Sequence, residues 1–109
     1  MVEKYYNNKG EVGVVISRGY GAGWYSWNSD TQYGTDILFD KTLVEMILNK
    51  TKIEEIEKYV DTKYPDCYSG GIQDRLDVEF MPEGSHFIVE EYDGAEHIEY
   101  IENIDFITA

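Results

Sequence analysis

Apolar residues in the first half of the chain form two patterns. The first is a continuous run, and the second has the spacing of a helix. Residues 12–17 are mostly β-branched, which predicts a buried β-strand. From residue 41 to 49 the apolar positions recur every three to four residues, which predicts a helix with one apolar stripe. Asp40 stands directly before this segment and is a good N-cap residue.

A second helix is predicted after Lys50. Thr51 and Glu54 have the spacing of a capping box, and the apolar residues that follow share one helical face. Pro65 disfavours helical geometry at the residue before it, so the helix is expected to end near Tyr64.

From Leu76 onward the period changes to two, which predicts antiparallel strands over 76–80, 86–92 and 95–101 and a short last strand within 103–108. Asp93-Gly94 is a typical two-residue hairpin turn, and residues 82–85 read as a four-residue turn.

These two turns predict a register and therefore the two faces of the sheet. The first turn pairs Val89 with Ile98, and the second pairs Val78 with Val89. One face is then apolar and is expected to pack on the helix residues Leu43, Ile47, Ile56 and Val60; it contains Leu76, Val78, Phe80, Phe87, Val89, Ile98 and Tyr100.

The sequence therefore predicts the α+β class: one N-terminal strand, a long loop rich in glycine and aromatic residues, and two helices packed on a C-terminal antiparallel meander of three to four strands. With 109 residues, the chain has room for one core. Residues 1–11 are expected to be a short N-terminal arm or an additional edge strand, and 12–109 a single domain.

Acidic residues occupy the opposite face of the predicted meander. Asp77, Glu79, Glu90 and Glu99 fall close together there, and Glu91 and Glu96 face each other near the hairpin turn. Like charges opposed across strands destabilise a sheet, so this clustering suggests a surface that recognises Lys and Arg side chains of a partner. The alternative is the ordinary solvated side of a one-sided sheet.

The net charge of the chain indicates which classes of molecule it can bind. The chain has 22 acidic and 9 basic residues, a formal net charge of -13. Such a protein repels nucleic acids and anionic membranes, so direct DNA or RNA binding is not expected, and a basic protein surface is the more natural partner.

The single cysteine, Cys67, allows no internal disulfide, which fits a reducing compartment. The first residues carry no apolar run of the kind found in signal peptides, and no window approaches the roughly 18 apolar residues of a membrane span. We therefore expect a soluble cytoplasmic protein. Its oligomeric state stays open.

Three interpretations stay open for the segment from Arg18 to Tyr33, which we call the Gly-aromatic loop. Its glycines do not match a phosphate-binding motif, but a small-molecule site for a nucleotide signal would use Arg18, Tyr20 and Trp24. A structural loop would bury its tryptophans. A protein-binding surface would expose its aromatic residues, of which we single out Tyr20, Trp24, Tyr25 and Trp27.

No constellation typical of catalysis is evident. His97 is predicted opposite Glu90, where a cross-strand ion pair is a simpler interpretation than a metal site. Cys67 has no neighbour that would activate its thiol. We therefore expect no catalytic residue, no metal and no cofactor.

Three segments resemble small phage and prophage proteins of unassigned function: V-V-I-S-R-G-Y-G-A-G-W (14–24), L-F-D (38–40) and E-E-Y-D-G-A-E-H-I (90–98). The resemblance spans about residues 12–109 and brings no active residues with it. It implies a viral origin and a role in the cytoplasm of an infected bacterium, where small acidic phage proteins are often inhibitors of host defence, including anti-CRISPR proteins. The resulting hypothesis is a non-enzymatic inhibitor that binds a basic, nucleic-acid-handling host protein, either a defence nuclease or transcription machinery.

Overall fold

A computed structural model describes residues 2–70, 72, 76–101 and 107–109. The elements are β1 (Glu11–Ser17), α1 (Tyr25–Asn28), α2 (Asp36–Phe39), α3 (Lys41–Leu48), α4 (Ile53–Lys63), β2 (Leu76–Pro82), β3 (His86–Tyr92), β4 (Ala95–Tyr100) and β5 (Ile107–Thr108). Strands β1 and β2 form an antiparallel pair, and β4, β3 and β5 form a second sheet in that order. The predicted α+β class is confirmed.

Strand β1 lies between two apolar clusters, which explains its continuous apolar sequence. Val15 packs in one cluster with Leu43 of α3 and Val60 of α4. Val14 and its neighbours of the same parity pack in the other, with residues of α2, β2 and β3. Successive side chains of a strand point to opposite faces, so covering both faces buries every apolar residue of β1.

The β3–β4 hairpin has the predicted register. Tyr92 pairs with Ala95, Val89 with Ile98 and Phe87 with Tyr100. Phe87 is fully buried in the second cluster, and Val89 and Ile98 pack against it.

The predicted pairing of β2 with β3 is wrong. Strand β2 pairs with β1, so that Val78 lies opposite Val15, and β3 has β4 on one side and β5 on the other. The C-terminal residues take the place that the prediction gave to β2. Ala109 donates to the carbonyl oxygen of Ser85 and accepts from Gly84, which fixes the chain end beside the turn.

The predicted single core face is consequently wrong as well. Leu76 and Val78 pack on the helix side of β1, whereas Val89 and Ile98 pack on the other side. Tyr100 is 54% exposed.

Helices α3 and α4 lie in the predicted segments, and α1 and α2 are two additional short helices of the described residues. Asp40 caps α3 as predicted, because its side chain accepts a hydrogen bond from the N–H of Leu43. Helix α4 begins after Lys52 without a side-chain cap, so the Thr51 capping box is wrong. The short helices α1 and α2 lie in and just after the Gly-aromatic loop, where none was predicted.

The N-terminal segment extends the first sheet. Tyr6 forms an antiparallel bridge with Val12, and the N–H of Gly13 donates to the carbonyl oxygen of Tyr5. Of the last predicted strand, 107–108 is observed and 103–106 lies outside the described residues. In the described part of the chain, every helix is too short or too polar to cross a membrane.

Candidate binding surface at the β3–β4 hairpin

The tip of the hairpin is docked on the Gly-aromatic loop. Asp93 and Gly94 have positive φ angles of 52° and 88°, as a type I′ turn requires. The N–H of Gly94 donates to Glu91 Oε2 at 2.7 Å, and the carbonyl oxygen of Asp93 accepts from the N–H of Gly21 at 2.6 Å. The tip is therefore held from inside the turn and from the loop beside it.

The Gly-aromatic loop surrounds a carboxylate group, and this carboxylate is the side chain of Glu96 in the same protein. Glu96 is only 3% exposed. Its Oε1 accepts from the N–H of Ser17 at 2.8 Å, and its Oε2 accepts from the N–H groups of Trp24 and Ser26 at 3.0 and 2.7 Å and from the Ser26 hydroxyl at 2.7 Å. Converging backbone N–H groups of this kind stabilise a carboxylate. Because Glu96 is buried in the loop, it is not available to a partner as predicted.

The residues of the nucleotide-site alternative do not converge. Trp24 is fully buried, and its indole N–H donates to the carbonyl oxygen of Ile37 at 2.9 Å. Arg18 makes ion pairs of 3.2 Å with both Asp77 and Glu79. Trp24 is therefore a core residue, as the structural interpretation of the loop predicts, and the Arg18 guanidinium is engaged.

Trp27 is exposed and stacks on Tyr68, an aromatic residue that the sequence analysis did not single out. The ring centroids are 5.5 Å apart, and the ring planes are inclined by 25°. The two side chains are 44% and 56% exposed. The Trp27 indole N–H also makes a long hydrogen bond of 3.5 Å to Glu91 Oε2, which ties the pair to the hairpin.

Two further exposed tyrosines border the same turn. Tyr92, which directly precedes Asp93, is 77% exposed, and Tyr20, which directly precedes Gly21, is 67% exposed. Tyr25 is half-buried and packs against both apolar clusters, so it contributes mainly to the core. We call the surface formed by the exposed residues the hairpin-tip patch: Tyr20, Trp27, Tyr68, Glu91, Tyr92 and Asp93.

The predicted acidic face is divided into two groups on opposite sides of the hairpin. Glu90 and Glu99 lie on its outer side with His97, whose Nε2 is 3.5 and 3.4 Å from their carboxylates. Glu79 lies on the other side, where it accepts a hydrogen bond of 3.0 Å from the hydroxyl of Tyr100. Burial and then this hydrogen bond raise the pKa of Tyr100 to about 12.

Glu90, His97 and Glu99 could hold a metal ion, since one ligand atom from each lies within 4.8 Å of the others. All three side chains are about half exposed, and acidic groups in this setting are common without an ion. The cross-strand pair of His97 with Glu90 is confirmed, and we assign no metal centre to it.

A second buried carboxylate joins the helices on the other side of the molecule. Asp40 is 1% exposed and accepts hydrogen bonds from the hydroxyls of Tyr59 and Tyr64 and from Lys63 Nζ, in addition to capping α3. Burial alone would raise the pKa of Asp40, but the hydrogen bonds from Tyr64, Leu43, Lys63 and Tyr59 together lower it below the ordinary value of 3.8.

We expect Asp40→Asn to lower the free energy of unfolding at pH 7 by about 2 kcal/mol, because the amide keeps the helix cap but loses the charged bonds to Lys63 and the tyrosines. A lowered native pKa stabilises the fold above the unfolded-state pKa, and that stability is lost as the pH falls through the native pKa. The difference between the two proteins should therefore shrink below pH 3.8. Urea unfolding at pH 7 and at acid pH tests this, with exposed Asp61→Asn as control. A difference independent of pH would contradict it.

Cys67 is buried, and burial raises the pKa of its thiol. A thiol in this state is a poor nucleophile.

The largest cleft that we describe lies along the N-terminal segment, away from the Gly-aromatic loop. Its volume is about 670 Å³, and it is lined by Val2, Glu3, Lys4, Tyr5, Tyr6, Lys41 and Glu45.

Comparison of the chain with protein-family models, with curated proteins and with solved structures gave no match.

Proposed function

We propose that this protein is a non-enzymatic binding module that recognises a basic surface of a partner protein through the β3–β4 hairpin. The observation that supports this most directly is the hairpin-tip patch, where exposed aromatic rings surround a turn with two carboxylates. Tyr and Trp are enriched in binding hot spots, and a patch of this kind is a common contact surface.

Electrostatics supports a basic partner. Glu90 and Glu99 on the outer side of the hairpin extend the acidic field of the patch, and His97 is the only basic residue that the described ion pairs place beside them. Arg18, Lys41 and Lys63 form ion pairs elsewhere in the described structure. A concentrated acidic surface accelerates association with a basic partner, and this effect falls steeply with ionic strength.

The resemblance to phage proteins directs the search for the partner to an infected bacterium. We propose a host protein whose basic surface ordinarily handles nucleic acid, either a defence nuclease or a component of transcription. A protein that occupies such a surface inhibits by competing with nucleic acid, and this requires no catalytic residue.

Charge reversal on the hairpin tests the proposal. The immobilised protein is incubated with bacterial lysate, and each captured protein is identified by mass spectrometry, purified and titrated. The double change Glu90→Lys and Glu99→Lys should weaken binding of the partner by about tenfold or more. The control is Glu45→Lys with Asp61→Lys, which changes the net charge equally on exposed positions of α3 and α4.

Supporting results are a basic partner that is lost with the hairpin variant, kept with the control, and bound less tightly at high salt. Equal weakening by both variants would show that net charge, not the hairpin, is responsible, and would overturn the proposal.

A further inference from the structure

A buried side chain holds the backbone beside the exposed pair of Trp27 and Tyr68. Asn28 is 2% exposed and clamps the backbone of Tyr68 from both sides: its Oδ1 accepts from the Tyr68 N–H at 2.7 Å, and its Nδ2 donates to the Tyr68 carbonyl oxygen at 3.0 Å. Nδ2 also donates to the carbonyl oxygen of Trp24 at 2.7 Å. A buried side chain with all its polar atoms committed thus fixes the backbone of Tyr68, whose exposed ring stacks on Trp27.

Glu91 is oriented beside this pair. Both of its described hydrogen bonds, from the N–H of Gly94 and from the indole N–H of Trp27, end on Oε2. Within the described residues no hydrogen bond reaches Oε1. The two hydrogen bonds to Oε2 therefore orient the carboxylate, and Oε1 remains available to accept a hydrogen bond.

No cation of the described chain occupies the ring faces of the pair. The internal cation–π contacts of the described residues are made by Lys4 on Phe39 and by Lys63 on Tyr59 and Tyr64. A cation from another molecule would therefore meet exposed aromatic surface and a carboxylate at one place.

We propose that Trp27, Tyr68 and Glu91 form a subsite for an arginine side chain of the partner. A guanidinium group is planar and weakly hydrated, so it can stack on an aromatic ring while its edge donates to a carboxylate. The ammonium group of lysine is strongly hydrated and has no planar edge, so it cannot make both contacts equally well. The subsite rests on the proposed function for its biological ligand, but its chemistry can be measured without the partner.

The measurement is a titration of the isotopically labelled protein with N-acetyl-arginine amide and, separately, N-acetyl-lysine amide at constant ionic strength. The Trp27 indole N–H resonance should shift in a saturable manner, with a dissociation constant on the order of 10 mM for the arginine probe. Binding of the lysine probe should be at least about threefold weaker. The indole of Trp24 is fully buried and serves as the internal reference that the fold is unchanged.

Two variants locate the subsite. Tyr68→Ala removes one ring, and Glu91→Gln removes the charge while keeping an oxygen for the N–H of Gly94. Each should weaken the arginine probe by about threefold or more. Tyr100→Ala is the matched control, because it removes a ring of nearly the same exposure, 54% against 56% for Tyr68, from the hairpin outside the hairpin-tip patch, and it should leave the Trp27 shift intact.

Equal binding of the two probes, or wild-type affinity in Glu91→Gln, would overturn the arginine subsite. Its failure can be told from failure of the proposed function. If the captured partner is lost with the Glu90 and Glu99 double variant but binds Tyr68→Ala and Glu91→Gln as tightly as wild type, the basic partner stands and the subsite is wrong.

Discussion

Replacing Glu96 by Ala is expected to lower the free energy of unfolding by about 4 kcal/mol, because it leaves the buried donors around the carboxylate without an acceptor. The N–H groups of Ser17, Trp24 and Ser26 all donate to this side chain. Water has little access, since Glu96 is 3% exposed. The loss should affect the hairpin and the Gly-aromatic loop together, because the carboxylate is a direct link between them.

Urea unfolding of Glu96→Ala and Glu99→Ala provides the measurement. Glu99 lies on the same strand but is exposed, so its replacement should change stability by less than about 0.5 kcal/mol. Glu96→Gln keeps the shape and one acceptor but turns an N–H₂ group toward N–H donors, and it should fall between the two. Similar stabilities for the Glu96 and Glu99 variants would contradict the role of the buried carboxylate.

The sequence contained a signal for Glu96 that alternation alone reveals. In β4, Glu96 has the same parity as Ile98, a residue correctly predicted to face the core. A glutamate at a core-facing position needs buried partners, because burying an unpaired charge is costly. The prediction that Glu96 is available to a partner is inconsistent with that parity.

The two C-terminal turns differ in how strongly they determine pairing, and this explains which register was predictable. Asp93-Gly94 has backbone angles that match only a tight hairpin, so the register of β3 with β4 follows from two residues. The four-residue turn at 82–85 is compatible with more than one arrangement of the strands on either side of it. The strand that lies beside β3 there is β5, and both its pairing and the hydrogen bonds of Ala109 join residues that are distant in sequence.

Tyr68 could not have been found from periodicity. It lies in an irregular segment after Pro65, and its position depends on Asn28, forty residues earlier in the chain. The burial of Trp24 and the exposure of Trp27 are likewise a tertiary outcome, since both residues stand in the same glycine-rich segment with similar neighbours.

Gly94→Ala is expected to cost about 3 kcal/mol or more, well beyond the usual penalty for a non-glycine residue at positive φ. A Cβ atom at residue 94 would lie 2.5 Å from the backbone nitrogen of Ala22 and 2.7 Å from the carbonyl carbon of Gly21. These are backbone atoms, so relief requires the hairpin tip to move away from the Gly-aromatic loop. That movement would break the hydrogen bond between Gly21 and Asp93.

Gly84 is a matched control, because its φ angle of 90° is nearly the same as the 88° of Gly94 and, apart from its chain neighbours, no atom of the described residues lies within 4 Å of its Cβ position. Gly84→Ala should therefore cost only the conformational penalty of about 1 kcal/mol. The difference between the two variants in urea unfolding isolates the contact of the tip with the loop from backbone strain. In Gly94→Ala the indole resonance of Trp27 should also move, since Glu91, its hydrogen-bond partner, is anchored by the N–H of Gly94. If the two glycine variants lose the same stability, the tip does not depend on the loop for its position, and the hairpin-tip patch is not the rigid surface that partner binding requires.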